Sequence, residues 1–316
     1  MKKLKGITIW RCLSLTWLLF LSAAYFWPTD ALYAITIWPP FVWAGLAFVL
    51  SLAGFRRHRT RAQWLLLFAW FSFWTGFGEE KLWIPSRAFE FYDSESHKFV
   101  TLNCAGGSVE AAQEALDRNP AILLLQESPS RKELEKLADS GYSLISGPDA
   151  SIMVDGKGRL DAIELPRGTS NFVAGVARLY NQEPILVVSL RLQPPIFRLD
   201  YWSPDCWQAY TENRERRRAE FAEIMRFIKP HAEKVKWVVI GGDFNTPPDS
   251  GTFAPLSGWL TDASRDSGYT ATNEFPMARI DQIWTNIYCF SSRAYQTKNS
   301  DHRLVQTWHR PVFRQP

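Results

Sequence analysis

The run from Trp237 to Pro248 (WVVIGGDFNTPP) restricts the fold more than any other stretch of this chain. Trp237 to Ile240 is apolar and largely β-branched, as a strand covered on both faces must be. Gly241 and Gly242 then predict a tight turn, after which Asp243 and Asn245 leave the strand end on the same side. An acid and an amide in that position are either turn chemistry following a core strand or the floor of a site. The choice depends on whether other strand ends supply matching chemistry.

Four fragments do. Leu102-Asn103 closes a short β-like run that begins at Phe99, and Glu127 closes the continuous apolar run Ala121 to Gln126. Arg279-Ile280-Asp281 opens a strand running to Trp284, and Ser300-Asp301-His302 precedes another, Leu304 to Trp308. Taken singly, these are an Asn turn, an exposed strand-end Glu and a surface His after Asp. Taken in order, the set Asn, Gln-Glu, Gly-Asp-x-Asn, Arg-Ile-Asp and Ser-Asp-His resembles the endonuclease/exonuclease/phosphatase superfamily, the deoxyribonuclease I-like proteins, over roughly residues 98–310.

The intervening sequence agrees with such a fold. Helices are predicted over Val109 to Arg118, capped by Ser108, over Arg131 to Ser140, and over Thr211 to Ile228, where Phe221, Ile224, Met225 and Ile228 form an apolar stripe. Strands are predicted over Tyr142 to Ile145, Ser151 to Val154, Leu160 to Leu165, Asn171 to Tyr180 and Ile185 to Leu192. Helices interspersed with many strands give an α+β protein with two sheets inside and helices outside. The resemblance makes this a four-layer α/β-β/α sandwich of the deoxyribonuclease I-like type, preceded here by N-terminal transmembrane helices.

The resemblance also implies chemistry. Hydrolysis of a phosphate ester or anhydride needs a cation on the phosphoryl oxygens, a base for water and donors for the developing charge. By position in the motifs, Glu127 is the metal ligand, with Asn103 and Asp301 assisting, and the metal is Mg²⁺ or Mn²⁺ in its place. Asp243 is the base, and Asn245 donates to the phosphoryl oxygens or the attacking water. His302 donates to the phosphate, and Asp281 orients its imidazole and raises its pKa. One position departs from the pattern: Arg191 stands where many members carry a His. An arginine cannot serve as acid or base at neutral pH, but it can clamp a phosphate with parallel donors; the plainer reading is a surface side chain.

The first third is different in kind. Nine of the 15 Trp precede residue 85, and three apolar runs, 12–27, 31–55 and 64–78, predict membrane helices within a region 1–84. Pro39-Pro40 should kink the second, and the third is barely long enough to span. The first is long for a signal-peptide core, and Tyr25-Phe26-Trp27 stands where a small-residue cleavage site would be. A polar linker at 85–97 leads into the domain at 98–316. Lys2, Lys3, Lys5 and Arg11, with the basic cluster at 56–61, should be cytoplasmic, which puts the domain on the extracytoplasmic side of the inner membrane.

The net charge of +4 is modest and does not argue for a nucleic-acid-binding face. The four Cys have no metal spacing, and any pairing among Cys104, Cys206 and Cys289 stays open. Helices followed by an outward-facing domain resemble bacterial membrane phosphatases of the teicoplanin-resistance kind. That implies a lipid-linked phosphate such as undecaprenyl pyrophosphate as substrate and the bilayer as partner. The alternatives are an exported nuclease or phosphodiesterase, with nucleic acid the less favoured partner, and an inactive membrane-tethered binding module. The stretch Gln193 to Tyr210 reads as neither helix nor central strand; it predicts either a satellite core burying Phe197 and Trp202 or a surface facing lipid.

Overall fold

The apolar runs of the sequence become strands of two six-stranded sheets in the computed structural model. It describes residues 2–27, 29–55, 60–77, 96–139, 141–156, 158–179, 183–248, 251–256, 258–274 and 278–310. The chain forms two compact units. One comprises the N-terminal helices with Ile196–Arg214, the other Ala88–Pro195 with Glu215–Pro316.

In the second unit, one sheet contains β1 (His97–Asn103), β2 (Ile122–Gln126), β3 (Tyr142–Ser146), β4 (Ala150–Asp155), β11 (Cys289–Tyr295) and β12 (Leu304–His309), in the order β11-β12-β1-β2-β4-β3. The other contains β5 (Arg159–Ala162), β6 (Phe172–Arg178), β7 (Ile185–Arg191), β8 (Trp237–Asp243), β9 (Thr261–Asp262) and β10 (Asp281–Thr285), in the order β5-β6-β7-β8-β10-β9. Alternation along β8 shows how the layers assemble: Val239 faces the inter-sheet core with Leu124, Ile152 and Val187, whereas Val238 and Ile240 face the opposite side. There they meet Phe221, Ile224, Met225 and Ile228, the predicted stripe of helix α7 (Pro204–Ala232). Helices α5 (Val109–Leu116) and α6 (Arg131–Ala138) cover the outer face of the first sheet, and Ser108 caps α5 by accepting a hydrogen bond from the Ala111 amide at 3.1 Å. This is the two-sheet α+β sandwich that the sequence predicts.

The strand registers bring the motif residues to common ends. Parallel pairing sets Asn103 opposite Gln126 in one sheet and Arg191 opposite Asp243 in the other, while antiparallel pairing sets Asp281 opposite Asp243.

Four readings need correction. Gly241 and Gly242 do not turn the chain; they continue β8. Gly242 has φ +147°, and a Cβ there would lie 1.9 Å from the Leu190 carbonyl oxygen, so glycine serves close strand packing. Helix α7 begins at Pro204 rather than Thr211, since proline fits the first turn of a helix, where its missing N–H is no loss. Strand β11 escaped notice because it is an edge strand, only partly buried along its length and interrupted by an irregularity between Cys289 and Ser291. The predicted strand Leu160 to Leu165 stops at Ala162.

In the first unit, α1 (Lys2–Phe26) carries an apolar window, Ile9–Phe26, of the length of a membrane span or a signal sequence. The second predicted helix is broken. A 3₁₀ turn (Asp30–Leu32) and α2 (Tyr33–Thr36) meet α3 (Pro40–Phe55) at 59°, with Pro40 opening α3. Helix α4 (Arg61–Phe77) has 17 residues. Among the described residues only α1 is by itself long and apolar enough to cross a membrane. Residues 56–59 of the basic cluster and 85–95 of the linker lie outside the described residues, and His97 already belongs to β1.

Candidate active site

Glu127 follows β2 with φ +42°, a left-handed conformation uncommon for a side-chain-bearing residue, which re-aims the chain at the strand end. Its carboxylate accepts hydrogen bonds from Asn103 Nδ2 at 3.1 Å and from the Gly106 amide at 2.7 Å. The other Asn103 amide hydrogen goes to Asp243 Oδ2, also at 3.1 Å, so one side chain ties the acid of the first sheet to the acid of the second. The Ala105 amide fixes Asn103 by donating to its Oδ1 at 2.9 Å.

Asp243 is buried at the end of β8. The Asn245 amide donates to its Oδ1 at 2.9 Å, and Asn245 Nδ2 donates to its Oδ2 at 3.1 Å and to the Leu192 carbonyl at 2.7 Å. Asn245 therefore commits both side-chain hydrogens within the protein, and its geometry is that of a brace for Asp243 rather than the predicted donor to phosphate. Its backbone, at φ +49°, is in turn held by Arg217, a fully buried guanidinium that reaches the Asn245 carbonyl and Thr246 Oγ1.

Asp281 is fully buried beside Asp243 and meets His302 Nδ1 at 2.9 Å. Ser300 sets the backbone of that loop, donating to the Asn103 carbonyl at 2.6 Å and accepting from the His302 amide at 3.0 Å. Asp243, Asp281 and His302 place one ligand atom each within 4.8 Å of one another, a group able to hold a metal ion. Asp301 is exposed and stands outside that group. Arg191 is not a surface side chain: its guanidinium is about a quarter exposed and pairs with Glu127 at 2.6 Å and Asp149 at 3.4 Å.

The electrostatics follow from these contacts. Burial first, and the Asp281 charge second, push the Asp243 carboxyl up to about 7 against the opposing pull of His302. Burial works against a charged His302, but the Asp281 carboxylate and its hydrogen bond outweigh that and raise the imidazole to about 10. Burial likewise opposes ionisation of Glu127, yet the Asn103 hydrogen bond, the Arg191 charge and the Gly106 amide together hold its pKa below the ordinary value.

The motif residues found from the sequence are thus brought together, with Asp301 the exception. The sequence does not single out the supports Asp149 and Arg217, the bracing role of Ser300 within its motif, or a buried link in which Gln126 Nε2 donates across the sheets to Ser189 Oγ at 3.0 Å. Gln126 adjoins Glu127, but no sequence signal marks Asp149 or Ser189 as partners, because they meet the site only through strand pairing.

Comparison with known proteins agrees with the two-sheet fold. A model of the Endonuclease/Exonuclease/phosphatase family matches residues 100–302. Among solved structures, truncated Caenorhabditis elegans TDP2 is 14% identical, with 69% of this chain and 99% of that chain covered and a TM-score of 0.52. An endonuclease/exonuclease/phosphatase family protein from Bacteroides thetaiotaomicron is 14% identical over 70% of this chain and 98% of that one, with a TM-score of 0.52. The human Nocturnin catalytic domain is 17% identical, with coverage of 71% and 98% and a TM-score of 0.50. No curated protein matches the chain by sequence.

Proposed function

Since this chain belongs to the endonuclease/exonuclease/phosphatase family, whose members hydrolyse phosphoesters with the help of a divalent cation, we propose that it is a membrane-anchored phosphohydrolase. Its substrate is a lipid-linked phosphate, with a polyprenyl pyrophosphate such as undecaprenyl pyrophosphate the first choice, met on the extracytoplasmic side of the inner membrane. The observation that carries the hydrolytic reading is the convergence of Asp243, Asp281 and His302 within 4.8 Å at the strand ends that also bear Glu127 and Asn103.

Carboxylate and amide oxygens are the donors a hard cation takes, so Glu127, Asp243, Asp281 and Asn103 fit Mg²⁺, or Mn²⁺ in its place. When bound, such a cation neutralises charge building on the phosphoryl oxygens. The chain's own residues do the remaining work. Asp243, fixed by Asn103 and Asn245 on the same Oδ2, takes the proton of the attacking water. Asp281 keeps His302 protonated through Nδ1, which leaves Nε2 to donate to a phosphoryl oxygen. Arg191 adds a fixed positive charge beside Glu127 and attracts an anionic substrate.

The lipid reading is supported by the apolar window of α1, and by Ile196–Arg214, a segment inside the family-matched region that packs with the N-terminal helices as one unit. Crossings by α1, by α3 beyond the bend, and by α4, with the basic residues at 2–11 and 56–61 held cytoplasmic, put the carboxy-terminal domain outside. The test is phosphate release by the full-length protein from undecaprenyl pyrophosphate and from DNA, side by side, with Mg²⁺ or EDTA. Release from the lipid only in Mg²⁺ is expected; preferential cleavage of DNA overturns the lipid reading.

A further inference from the structure

The segment Ile196–Arg214 is seated on the short stretch that joins α1 to α3. Arg214, 1% exposed, pairs with Asp30 at 2.9 Å and lies over the Tyr33 ring at 4.8 Å. Tyr201 accepts a hydrogen bond from Trp38 Nε1 at 2.6 Å and donates to the Ala34 carbonyl at 3.3 Å. Cys206 and Tyr210 are fully buried against Tyr33, Ala34 and Ile37. Residues 30–38 follow directly on the apolar window Ile9–Phe26. Whatever packs on them lies at the level where that helix ends, and for a helix that crosses a bilayer this is the headgroup layer.

Over residues 197–202 the exposed side chains are all apolar. Phe197 is 62% exposed, Leu199 69% and Trp202 84%, and the Phe197 ring meets Trp38 edge-on at 5.6 Å. The predicted satellite core therefore does not form from Phe197 and Trp202; Tyr201 and Trp207 pack inward in their place. The charges of this loop cancel locally, because Arg198 pairs with Asp200 at 2.5 Å. At the end of α1, Phe26 and Trp27 are also about two-thirds exposed. Aromatic rings with little net charge at the end of an apolar helix suit the boundary between headgroups and acyl chains, where amphipathic rings gather.

We propose that residues 196–203 form an aromatic knuckle that inserts into the interfacial layer of a phospholipid bilayer, an inference that rests on the reading of α1 as a membrane span. Its occupant is lipid, because the patch is carried by the same compact unit as α1, whose own apolar side chains Leu13, Leu19 and Phe26 are exposed in the same way.

The test places one nitroxide label at a time on the full-length protein in phosphatidylethanolamine/phosphatidylglycerol vesicles and compares collision with oxygen and with a water-soluble nickel chelate. Cys12→Ser and Cys289→Ser remove the accessible thiols; Cys104 and Cys206 are fully buried. Trp202→Cys and Phe197→Cys each report on the knuckle, so either suffices if the other fails to fold. Leu19→Cys on α1 and Lys132→Cys on α6 give the hydrocarbon and aqueous references. Oxygen-to-nickel ratios at 197 and 202 between the two references, unchanged on dilution of protein in lipid, are expected. Ratios equal to that at 132, with position 19 in hydrocarbon, overturn the knuckle and leave the membrane reading standing. A water-exposed label at 19 overturns both. Protection from both reagents that disappears on dilution means that a second copy covers the patch, and also overturns the proposal.

Discussion

Arg191 Nη2 lies 2.6 Å from Glu127 Oε1, so an arginine at the end of a strand in one sheet holds the acid that follows a strand in the other. The pair is about three-quarters buried, which keeps the guanidinium from being screened as a surface charge would be. It also puts a fixed cation where Glu127 would serve a metal ion.

Two opposite effects of Arg191→Gln follow. Without the guanidinium, Glu127 faces a divalent cation with its charge uncompensated, and calorimetry should find Mg²⁺ bound about tenfold tighter, roughly 1.4 kcal/mol. Turnover should nevertheless fall by about tenfold or more, because a positive group near the phosphate is lost. Unchanged affinity together with unchanged turnover would remove Arg191 from the site.

The Asp281–His302 pair sets the pH profile. Asp243 must be ionised to accept a proton, so kcat/KM should rise with pH through a carboxyl that sits at about 7 before a cation binds and lower once one does. His302 must be protonated to donate, so the rate should fall as pH passes about 10. Asp281 raises both groups, and Asp281→Asn should therefore move both arms of the profile to lower pH. An alkaline arm that stays in place after this substitution would show that His302 is not the titrating acid.

Gly242→Ala should be among the most damaging small substitutions in the chain. Its Cβ would lie 1.9 Å from the Leu190 carbonyl oxygen, backbone that cannot step aside without breaking the β7–β8 pairing. A loss on the order of 3 kcal/mol or more in denaturant unfolding is expected. Gly106→Ala, at φ +75° with nothing within 4 Å of the added carbon, should cost only about 1 kcal/mol. Equal effects would mean that the close approach at Gly242 is relieved by movement.

These residues also show what the sequence makes legible. Asp243, Glu127, Asn103, Asp281 and His302 could be found because acids and amides at the ends of apolar runs are local patterns. The reason for Gly242 could not, since it depends on a neighbouring strand 52 residues earlier, at Leu190. Asn245 lies beside Asp243, but the sequence reads it as a donor to phosphate because it does not reveal that Leu192 and Asp243 already take its hydrogens. The exposure of Trp202 was unreadable for the opposite reason: aromatic content argues for burial in water and for exposure at a membrane, and sequence alone does not say which solvent a side chain meets.

The central claim, divalent-cation-dependent phosphoryl hydrolysis at Asp243, is tested most directly by phosphate release from a short, water-soluble pyrophosphate ester. The full-length protein and its Asp243→Asn variant are compared in Mg²⁺ and in EDTA, with melting temperatures measured alongside. The account predicts activity only in Mg²⁺ and a fall of about a thousandfold, roughly 4 kcal/mol, in a variant that still folds. Activity in EDTA equal to that in Mg²⁺, or a folded Asp243→Asn variant that turns over at the parent rate, would contradict it.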